Sequence, residues 1–98
     1  EAAIEIKPDH AISYNMLGYA LMDLEDFEAA EKAFDSYIEL APETANPYDS
    51  KGDFLMKMNK YEEAYDSYMK AYSIDSSFTM SFKKAQKALK LMENIEST

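Results

Sequence analysis

The stretch that decides the fold is Tyr14-Asn15-Met16-Leu17-Gly18-Tyr19-Ala20-Leu21, and it returns further along the chain as Tyr48-Asp49-Ser50-Lys51-Gly52-Asp53-Phe54-Leu55. Tyrosine, glycine and leucine stand at equivalent positions in both copies, and the two glycines are the only ones in the chain. Self-similarity at a fixed period of roughly 20–50 residues is typical of repeat arrays, in which each repeat is one supersecondary unit. The sequence therefore predicts tandem repeats with a period of 34.

Each repeat reads as a pair of helices. Around the first glycine, Tyr14, Leu17, Gly18, Leu21 and Leu24 are spaced i, i+3, i+4, i+7 and i+10, which is one face of a helix. Few glycines and prolines over this length favour long helices over strands joined by tight turns. Apolar spacing and breaker residues predict an all-α chain with helices at about 10–24, 27–41, 46–58, 61–75 and 79–95.

The predicted helix ends rest on a few residues with known terminal preferences. Asp9, Asp26 and Asn46 precede or open apolar periodic segments, so we expect their side chains to cap helices. Pro42 ends the second helix because proline cannot donate a backbone hydrogen bond. Asn59 is expected to turn the chain, since asparagine tolerates the left-handed conformation better than most residues.

The period also divides the chain. Residues 3–8 match residues 37–42 at isoleucine, glutamate and proline, so residues 1–8 are expected to be the tail of a truncated preceding repeat. Residues 9–44 and 45–78 form the two predicted repeats. Residues 79–98 form a C-terminal capping helix and tail, because Gln86 occupies the glycine position and blocks the close helix approach that glycine permits.

Charge is distributed unevenly along the chain. The net charge is −9 overall, with −9 in residues 1–44, −2 in residues 45–78 and +2 in residues 79–98. The acidic first half argues against nucleic acid or an anionic membrane as a partner, since both require a basic face. No apolar run approaches the roughly 18 residues of a membrane span. The compartment stays open between the cytoplasm and, with an upstream signal peptide removed, the periplasm.

No residue constellation predicts catalysis, a cofactor or a metal. His10 is the only histidine and the chain has no cysteine, so neither a zinc set nor a thiol nucleophile is present. The acidic corner at Asp23, Glu25, Asp26 and Glu28 lacks the glycine and the bidentate glutamate spacing of a calcium loop. The sequence therefore predicts that this chain is not an enzyme and binds no cofactor.

These residues resemble the tetratricopeptide repeat family. Its pattern of an aromatic, Leu-Gly, a leucine, alanine, phenylalanine and proline is met in the first repeat and continues in register in the second; the matching residues are Tyr14, Leu17, Gly18, Leu21, Ala30, Phe34, Pro42, Tyr48, Gly52, Leu55, Ala64, Tyr68 and Ala71. Lys51, Tyr37 and Ser76 depart from the pattern. The resemblance implies a right-handed α-solenoid of antiparallel helix pairs, whose concave groove holds a peptide or helix of a partner protein.

Within that resemblance, the groove residues are those of the odd-numbered helices that lie beside the apolar stripe. Helical spacing predicts Ile12, Asn15, Tyr19 and Met22 on the first helix, Asp49, Asp53, Met56 and Lys57 on the third, and Met80, Lys83, Lys87 and Lys90 on the fifth. A solvated helix face is the alternative interpretation of the same residues. The leading hypothesis is therefore a scaffold module that binds a protein or peptide partner.

One subclass of the family grips a C-terminal carboxylate with lysine, asparagine and arginine side chains. This chain has Asn15, but Tyr19 replaces the next asparagine of that clamp, and the chain contains no arginine. Asp49 and Asp53 would repel a carboxylate. A carboxylate-terminated tail is therefore disfavoured as the ligand.

Two further interpretations stay open. A truncated preceding repeat would leave Tyr14, Leu17 and Leu21 partly uncovered, and an uncovered apolar patch favours homo-oligomer formation through the N-terminal end. The acidic front and the basic back of the chain would also attract each other head to tail. Alternatively, the chain is a non-catalytic part of a larger protein.

Overall fold

A computed structural model describes residues 8–97, and all regular secondary structure in this range is helical. The helices are α1 (Pro8–Asp23), α2 (Phe27–Leu40), α3 (Asn46–Lys57), α4 (Tyr61–Ile74) and α5 (Thr79–Ser97). The prediction of an all-α repeat fold with five helices is confirmed. The predicted tail of a preceding repeat lies outside the described residues except for Pro8, where α1 begins.

The chain forms two compact units, Glu1–Pro42 and Glu43–Thr98. In the first unit α1 packs against α2, and in the second unit α4 packs against both α3 and α5. Connections of three to five residues join the helices, which is the usual length between neighbouring helices that pack side by side. Each unit therefore has its own set of helix contacts.

Glycine sets the distance between α1 and α2. A Cβ atom added to Gly18 would lie 2.6 Å from the ring of Phe34, which is fully buried on α2. Alanines at positions 30 and 33 and Tyr37 complete the buried face of α2. The bare glycine backbone thus supplies the surface on which the aromatic ring rests, as the repeated Leu-Gly pattern predicted.

The second unit repeats this contact one period later. A Cβ atom at Gly52 would lie 2.6 Å from the ring of Tyr68, which is also buried. Ala64 and Ala71 flank this tyrosine on the buried face of α4, and α5 contributes Ala85 and Ala88, both with no exposed surface. Small residues at these positions allow the three helices to approach closely.

Two connections pass through the left-handed backbone region. Asn59 has φ = 63°, as predicted from its residue type, and its side-chain oxygen accepts a hydrogen bond from the Tyr61 hydroxyl at 2.9 Å. Glu25 has the same φ of 63°, although glutamate is not favoured there. The Asp26 carboxylate accepts from the backbone N–H of Ala29, which confirms the predicted cap of α2.

Two predicted capping residues are wrong. Helix α1 begins at Pro8, so Asp9 lies inside the first turn instead of before it; proline is favoured at the first helical position because its missing N–H has no intrahelical acceptor there. Helix α3 begins at Asn46, and the capping position belongs to Ala45, which offers no side-chain oxygen. In both cases the helix extends one or more residues further than the capping residue type suggested.

A hydrogen-bonded turn replaces the expected proline between α4 and α5. The Asp75 carboxylate accepts from the backbone N–H and the hydroxyl of Ser77, at 3.0 and 2.7 Å. The hydrogen bond from the Ser77 hydroxyl, and to a smaller extent that from its backbone N–H, lowers the pKa of the Asp75 carboxyl. Both bonds stabilise the charged form of the carboxyl. The aspartate thereby ends α4 without the conformational restriction of proline.

Part of the predicted packing stripe of α1 is open. Tyr14, Leu17 and Leu24 are 37%, 47% and 76% exposed, while Leu21 between them is half-buried. At the equivalent positions of α3, Leu55 is buried and Tyr48, Lys51 and Met58 are half-buried. The helical spacing was read correctly, but it does not determine whether a second element covers the stripe. We call Tyr14, Leu17, Leu21 and Leu24 the open α1 face.

Candidate functional site

The α3 strip consists of Asp49, Asp53, Met56 and Lys57. Steps of three or four residues place them along one side of the helix. The first three are half-buried and Lys57 is exposed, whereas Gly52, Phe54 and Leu55 on other sides of α3 are buried. The strip is therefore the side of α3 that the hydrophobic core of the second unit leaves accessible.

A lysine from α5 joins the two carboxylates of this strip. The Lys84 ammonium lies 3.2 Å from Oδ2 of Asp49 and 3.1 Å from Oδ1 of Asp53. The side chains of Lys84, Asp49 and Asp53 are 30%, 16% and 26% exposed, so all three are partly shielded from water. This bridge links α3 to α5, two helices whose contacts are mainly made through α4.

Two hydroxyl groups complete the cluster. The Ser81 hydroxyl on α5 donates to Asp49 at 2.6 Å, and the Tyr68 hydroxyl on α4 donates to Asp53 at 2.6 Å. Both residues are buried, and the Lys84 ammonium also lies 5.5 Å from the centre of the Tyr68 ring. Each carboxylate therefore receives one hydroxyl bond and one ammonium bond. We call these five residues the Lys84 cluster.

The electrostatics of the cluster favour a charged lysine. Partial burial acts to lower the pKa of Lys84, but the charges of Asp53 and Asp49 and their hydrogen bonds act in the other direction and raise it above 10.5. The ammonium is thus charged at neutral pH, and with both carboxylates ionised the cluster carries a net charge of −1. The middle of the predicted groove is accordingly less acidic than its two aspartates suggested.

The predicted α5 residues lie on the side of the helix that faces away from the core. Met80 is 60% exposed, and Lys83, Lys87 and Lys90 are exposed. Met80, Lys84 and Lys87 are spaced i, i+4 and i+7, so this exposed surface adjoins the Lys84 cluster. A shallow depression further along α5 is lined by Gln86, Lys87, Leu89, Lys90 and Glu93.

The predicted α1 residues belong to the first unit and differ in exposure. Ile12 is exposed, while Asn15, Tyr19 and Met22 are half-buried. The Tyr19 ring meets the ring of Phe34 edge-to-face, with centroids 5.1 Å apart. Tyr19 therefore contributes to the α1–α2 packing in addition to presenting surface.

The sequence pattern did not predict the role of Lys84 as the link between the α3 and α5 helices. The helical spacing that selected Lys83, Lys87 and Lys90 passed over it, because it lies one position off that strip. Its sequence separation from Asp49 and Asp53 is 35 and 31 residues, close to one repeat period. A search for opposite charges about one period apart on equivalent helices would have found it.

Two other kinds of site are absent from the described part of the chain. Among residues 8–97, no group of three or more histidine, cysteine, aspartate or glutamate side chains is arranged to hold a metal ion. Over the same range, no helix is both long enough and apolar enough to cross a membrane. The acidic corner after α1 and the Lys84 cluster are therefore not assigned as metal sites.

Helix pairs that pack through a glycine–aromatic contact, repeated once per period, define a helical repeat protein. The tetratricopeptide repeat family model matches residues 11–44 and 45–78, and the chain belongs to this family.

Two solved structures share the fold. The second tetratricopeptide domain of Spaghetti (RPAP3), bound to the HSP90 peptide SRMEEVD, superposes with a TM-score of 0.78 at 22% identity, covering 89% of this chain and 81% of that one. The tetratricopeptide domain of Arabidopsis OM64 gives a TM-score of 0.78 at 15% identity, covering 90% and 73%. At these identities the comparison establishes the fold.

Two curated relatives match in sequence. Human and mouse Protein O-mannosyl-transferase TMTC3 are each 31% identical over 74 residues, which is 74% of this chain. The chain spans only 8% of the length of these relatives.

Proposed function

We propose that this chain is a non-catalytic protein-interaction module that binds a peptide or helix of a partner protein. The proposed contact surface comprises the α3 and α5 strips of the second unit. The residues predicted for the groove on α1 belong to the first unit and stay a prediction. Family membership supports this class of function, and the solved relative bound to an HSP90 peptide illustrates it.

The observation that carries the proposal is the Lys84 bridge between the α3 and α5 strips. It holds two adjacent helices through side chains that are only partly buried, and exposed Met80 and Lys87 lie on the same side of α5. A rigid polar cluster beside exposed apolar and cationic side chains is a surface that can orient an extended ligand. The cluster keeps a net charge of −1, whereas the outer α5 surface is positive.

The charge pattern predicts the chemistry of the ligand on the second unit. A basic group is favoured opposite Asp49 and Asp53, because the Lys84 cluster keeps a net negative charge. An acidic group is favoured beside Lys83 and Lys87. The absence of arginine and the presence of Tyr19 speak against the carboxylate clamp, so the HSP90 peptide of the solved relative is not proposed as the ligand.

Exposed residues provide the test. Peptides selected on this chain from a random display library should bind the double variant Met80→Gln/Lys87→Glu at least about tenfold more weakly than the wild type, because both side chains would contact the ligand. Asp49 and Asp53 are less suitable, since their replacement also removes the α3–α5 link. Affinity is measured by isothermal titration calorimetry.

The control is Lys60→Glu/Lys70→Glu, which changes exposed lysines outside the strips. Its affinity should stay within about twofold of the wild type. If the control loses affinity as strongly as the strip variant, net charge decides binding and the proposed surface is wrong. Unchanged affinity of the strip variant, with a far-ultraviolet spectrum like that of the wild type, would also contradict the proposal.

A further inference from the structure

We propose that the open α1 face is an assembly surface that receives the α5 helix of a second copy of this chain. The α1 surface of this inference is separate from the α3 and α5 strips, whereas its α5 surface overlaps the proposed partner-binding surface; the inference does not depend on partner binding. It rests on three exposed apolar side chains and the half-buried Leu21, on a comparison with the equivalent helices of the same chain, and on the separation of charge between the two units.

The open α1 face is continuous. Tyr14, Leu17 and Leu21 are spaced i, i+3 and i+7 on α1, and Leu24 follows in the turn directly after the helix, so the strip runs along α1 and onto this turn. Leu24 at 76% exposed and Leu17 at 47% are its most accessible members. Scattered single apolar residues on a surface are normal, but a contiguous apolar strip is typical of an interaction site.

The exposure on α1 exceeds that of the equivalent helices at two positions of the face, those of Leu17 and Leu24. At the positions equivalent to Leu17, α3 has the half-buried Lys51 and α5 has the fully buried Ala85. At the positions equivalent to Leu24, Met58 and Met92 are half-buried. At the position equivalent to Tyr14, Phe82 on α5 is 40% exposed, so the greater exposure of α1 is confined to the positions of Leu17 and Leu24.

Charge identifies the occupant. The first unit, Glu1–Pro42, contains ten acidic residues and two lysines, and the exposed Asp23, Glu25 and Asp26 lie directly beside Leu24. Helix α5 contains four lysines and two acidic residues, a net charge of +2. Pairing α1 with α1 would bring two strongly acidic units together, whereas pairing α1 with α5 brings opposite charges together.

The outer side of α5 can cover an apolar strip. Lys83, Lys87 and Lys90 are spaced i, i+4 and i+7 and are all exposed, with Met80 beside them. Lysine stems of four methylene groups can lie along leucine side chains while the ammonium groups extend outward. In the proposed contact those ammonium groups reach the acidic corner that follows α1.

The two surfaces are different, so the interface is heterologous. After two copies associate, one copy still has an unoccupied α5 surface and the other an unoccupied α1 face. Further copies can bind there, so association can continue beyond a dimer. A contact of one helix face with another is smaller than the roughly 1,600 Å² of a standard stable interface. We therefore expect weak, concentration-dependent assembly.

Two sets of variants test the pairing by sedimentation velocity between about 10 µM and about 1 mM, the range in which an interface of this size becomes populated. The wild type should exceed its monomer mass of 11.2 kDa as the concentration rises. Leu17→Gln/Leu24→Gln removes the α1 surface, and Lys87→Glu/Lys90→Glu removes the α5 surface. Each variant alone should stay monomeric, with helicity and unfolding midpoint near those of the wild type.

Mixing the two variants gives the decisive result. Each retains the surface that the other lacks, so an equimolar mixture should form a dimer and no larger species. Matched controls, Ile12→Gln and Lys60→Glu/Lys70→Glu, should assemble like the wild type. A wild type that is monomeric throughout the range overturns the proposal. Dimers of the lysine variant alone would instead indicate α1–α1 pairing, which also overturns it.

Discussion

Gly18 shows how a single residue sets the distance between two helices. Its missing side chain admits the buried Phe34 ring to within contact of the α1 backbone, and Gly52 does the same for Tyr68. Glycine in a helix interior costs about 1 kcal/mol relative to alanine, so this position sacrifices helix stability for close packing. The repeat period in the sequence was sufficient to predict that role.

We expect Gly18→Ala to lower the free energy of unfolding by about 1–2 kcal/mol, because overpacking costs about 1–3 kcal/mol and exceeds the gain in helix propensity. Urea denaturation measures this change. In a Phe34→Leu background the cost should shrink, since a smaller side chain leaves room for the added methyl group. A Gly18→Ala variant more stable than the wild type would contradict the close approach.

Lys84 was not predicted, for a physical reason. Helical spacing indicates the direction in which a side chain leaves the backbone, but a lysine stem reaches across several ångströms to whichever carboxylates are near. Its partners became apparent only once α3 and α5 were placed beside α4. Helical spacing could thus assign the candidate residues to one side of each helix, and their role in binding stays a prediction, whereas the bonds to Lys84 could not be predicted.

Replacing Lys84 by methionine should lower the free energy of unfolding by about 1–2 kcal/mol at pH 7. This loss of stability lies between the values typical of exposed and of fully buried ion pairs, because the three charged groups are partly exposed. Lys83→Met, at the neighbouring exposed position, should change stability by less than about 0.5 kcal/mol. Equal effects of the two substitutions would contradict the bridge.

The pH dependence follows from the raised pKa of Lys84. A raised pKa in the folded state means that the lysine contributes its full stabilisation below pH 10.5 and loses it as the pH rises through the folded-state value. The difference in unfolding free energy between the wild type and Lys84→Met should therefore be constant from about pH 7 to 9 and should shrink above pH 10.5. A difference that grew in this alkaline range would contradict the assignment.

At the scale of elements, the helices could be predicted and their coverage could not. All five observed helices lie within about two residues of the predicted bounds, since apolar period, proline and the left-handed asparagine are local signals. The capping position of α3 at Ala45 and the exposure of Leu24 depend on which backbone groups and side chains find partners elsewhere. The spacing of residues along one helix does not indicate which other parts of the chain will contact it.

The connection between α1 and α2 contains a residue whose replacement should stabilise the protein. Glu25 adopts φ = 63°, which disfavours any residue with a Cβ atom. Glu25→Gly should raise the free energy of unfolding by about 0.5–1 kcal/mol, because the relief of backbone strain exceeds the greater freedom of glycine in the unfolded chain. Thermal denaturation with calorimetry measures the change.

The matched control is Glu28→Gly, three residues later in the first turn of α2. There the same substitution should destabilise the protein by about 0.5–1 kcal/mol, since helical backbone favours residues other than glycine. If both substitutions destabilise the chain equally, the left-handed conformation of Glu25 contributes no strain.

At the scale of the whole chain, charge is divided between two units. The first unit carries −8 and the second −1, and within the second unit the lysines of α5 offset the acids of α3. The sequence predicted this gradient correctly, together with the family and the helical repeat. The identity of the partner depends on the detailed pattern of exposed side chains, which no periodicity determines.

The central claim is that the α3 and α5 strips bind a peptide or helix of a partner protein. Methionine provides direct probes, because Met56 and Met80 lie on the strips, whereas Met69 lies on α4 and Met16 on an exposed part of α1. The measurement is a titration of ¹³C-methyl-methionine-labelled protein with a selected peptide, followed by NMR. We predict that the Met56 and Met80 methyl resonances shift with the ligand, while those of Met69 and Met16 stay in place. Shifts confined to Met69 or Met16 would contradict the account.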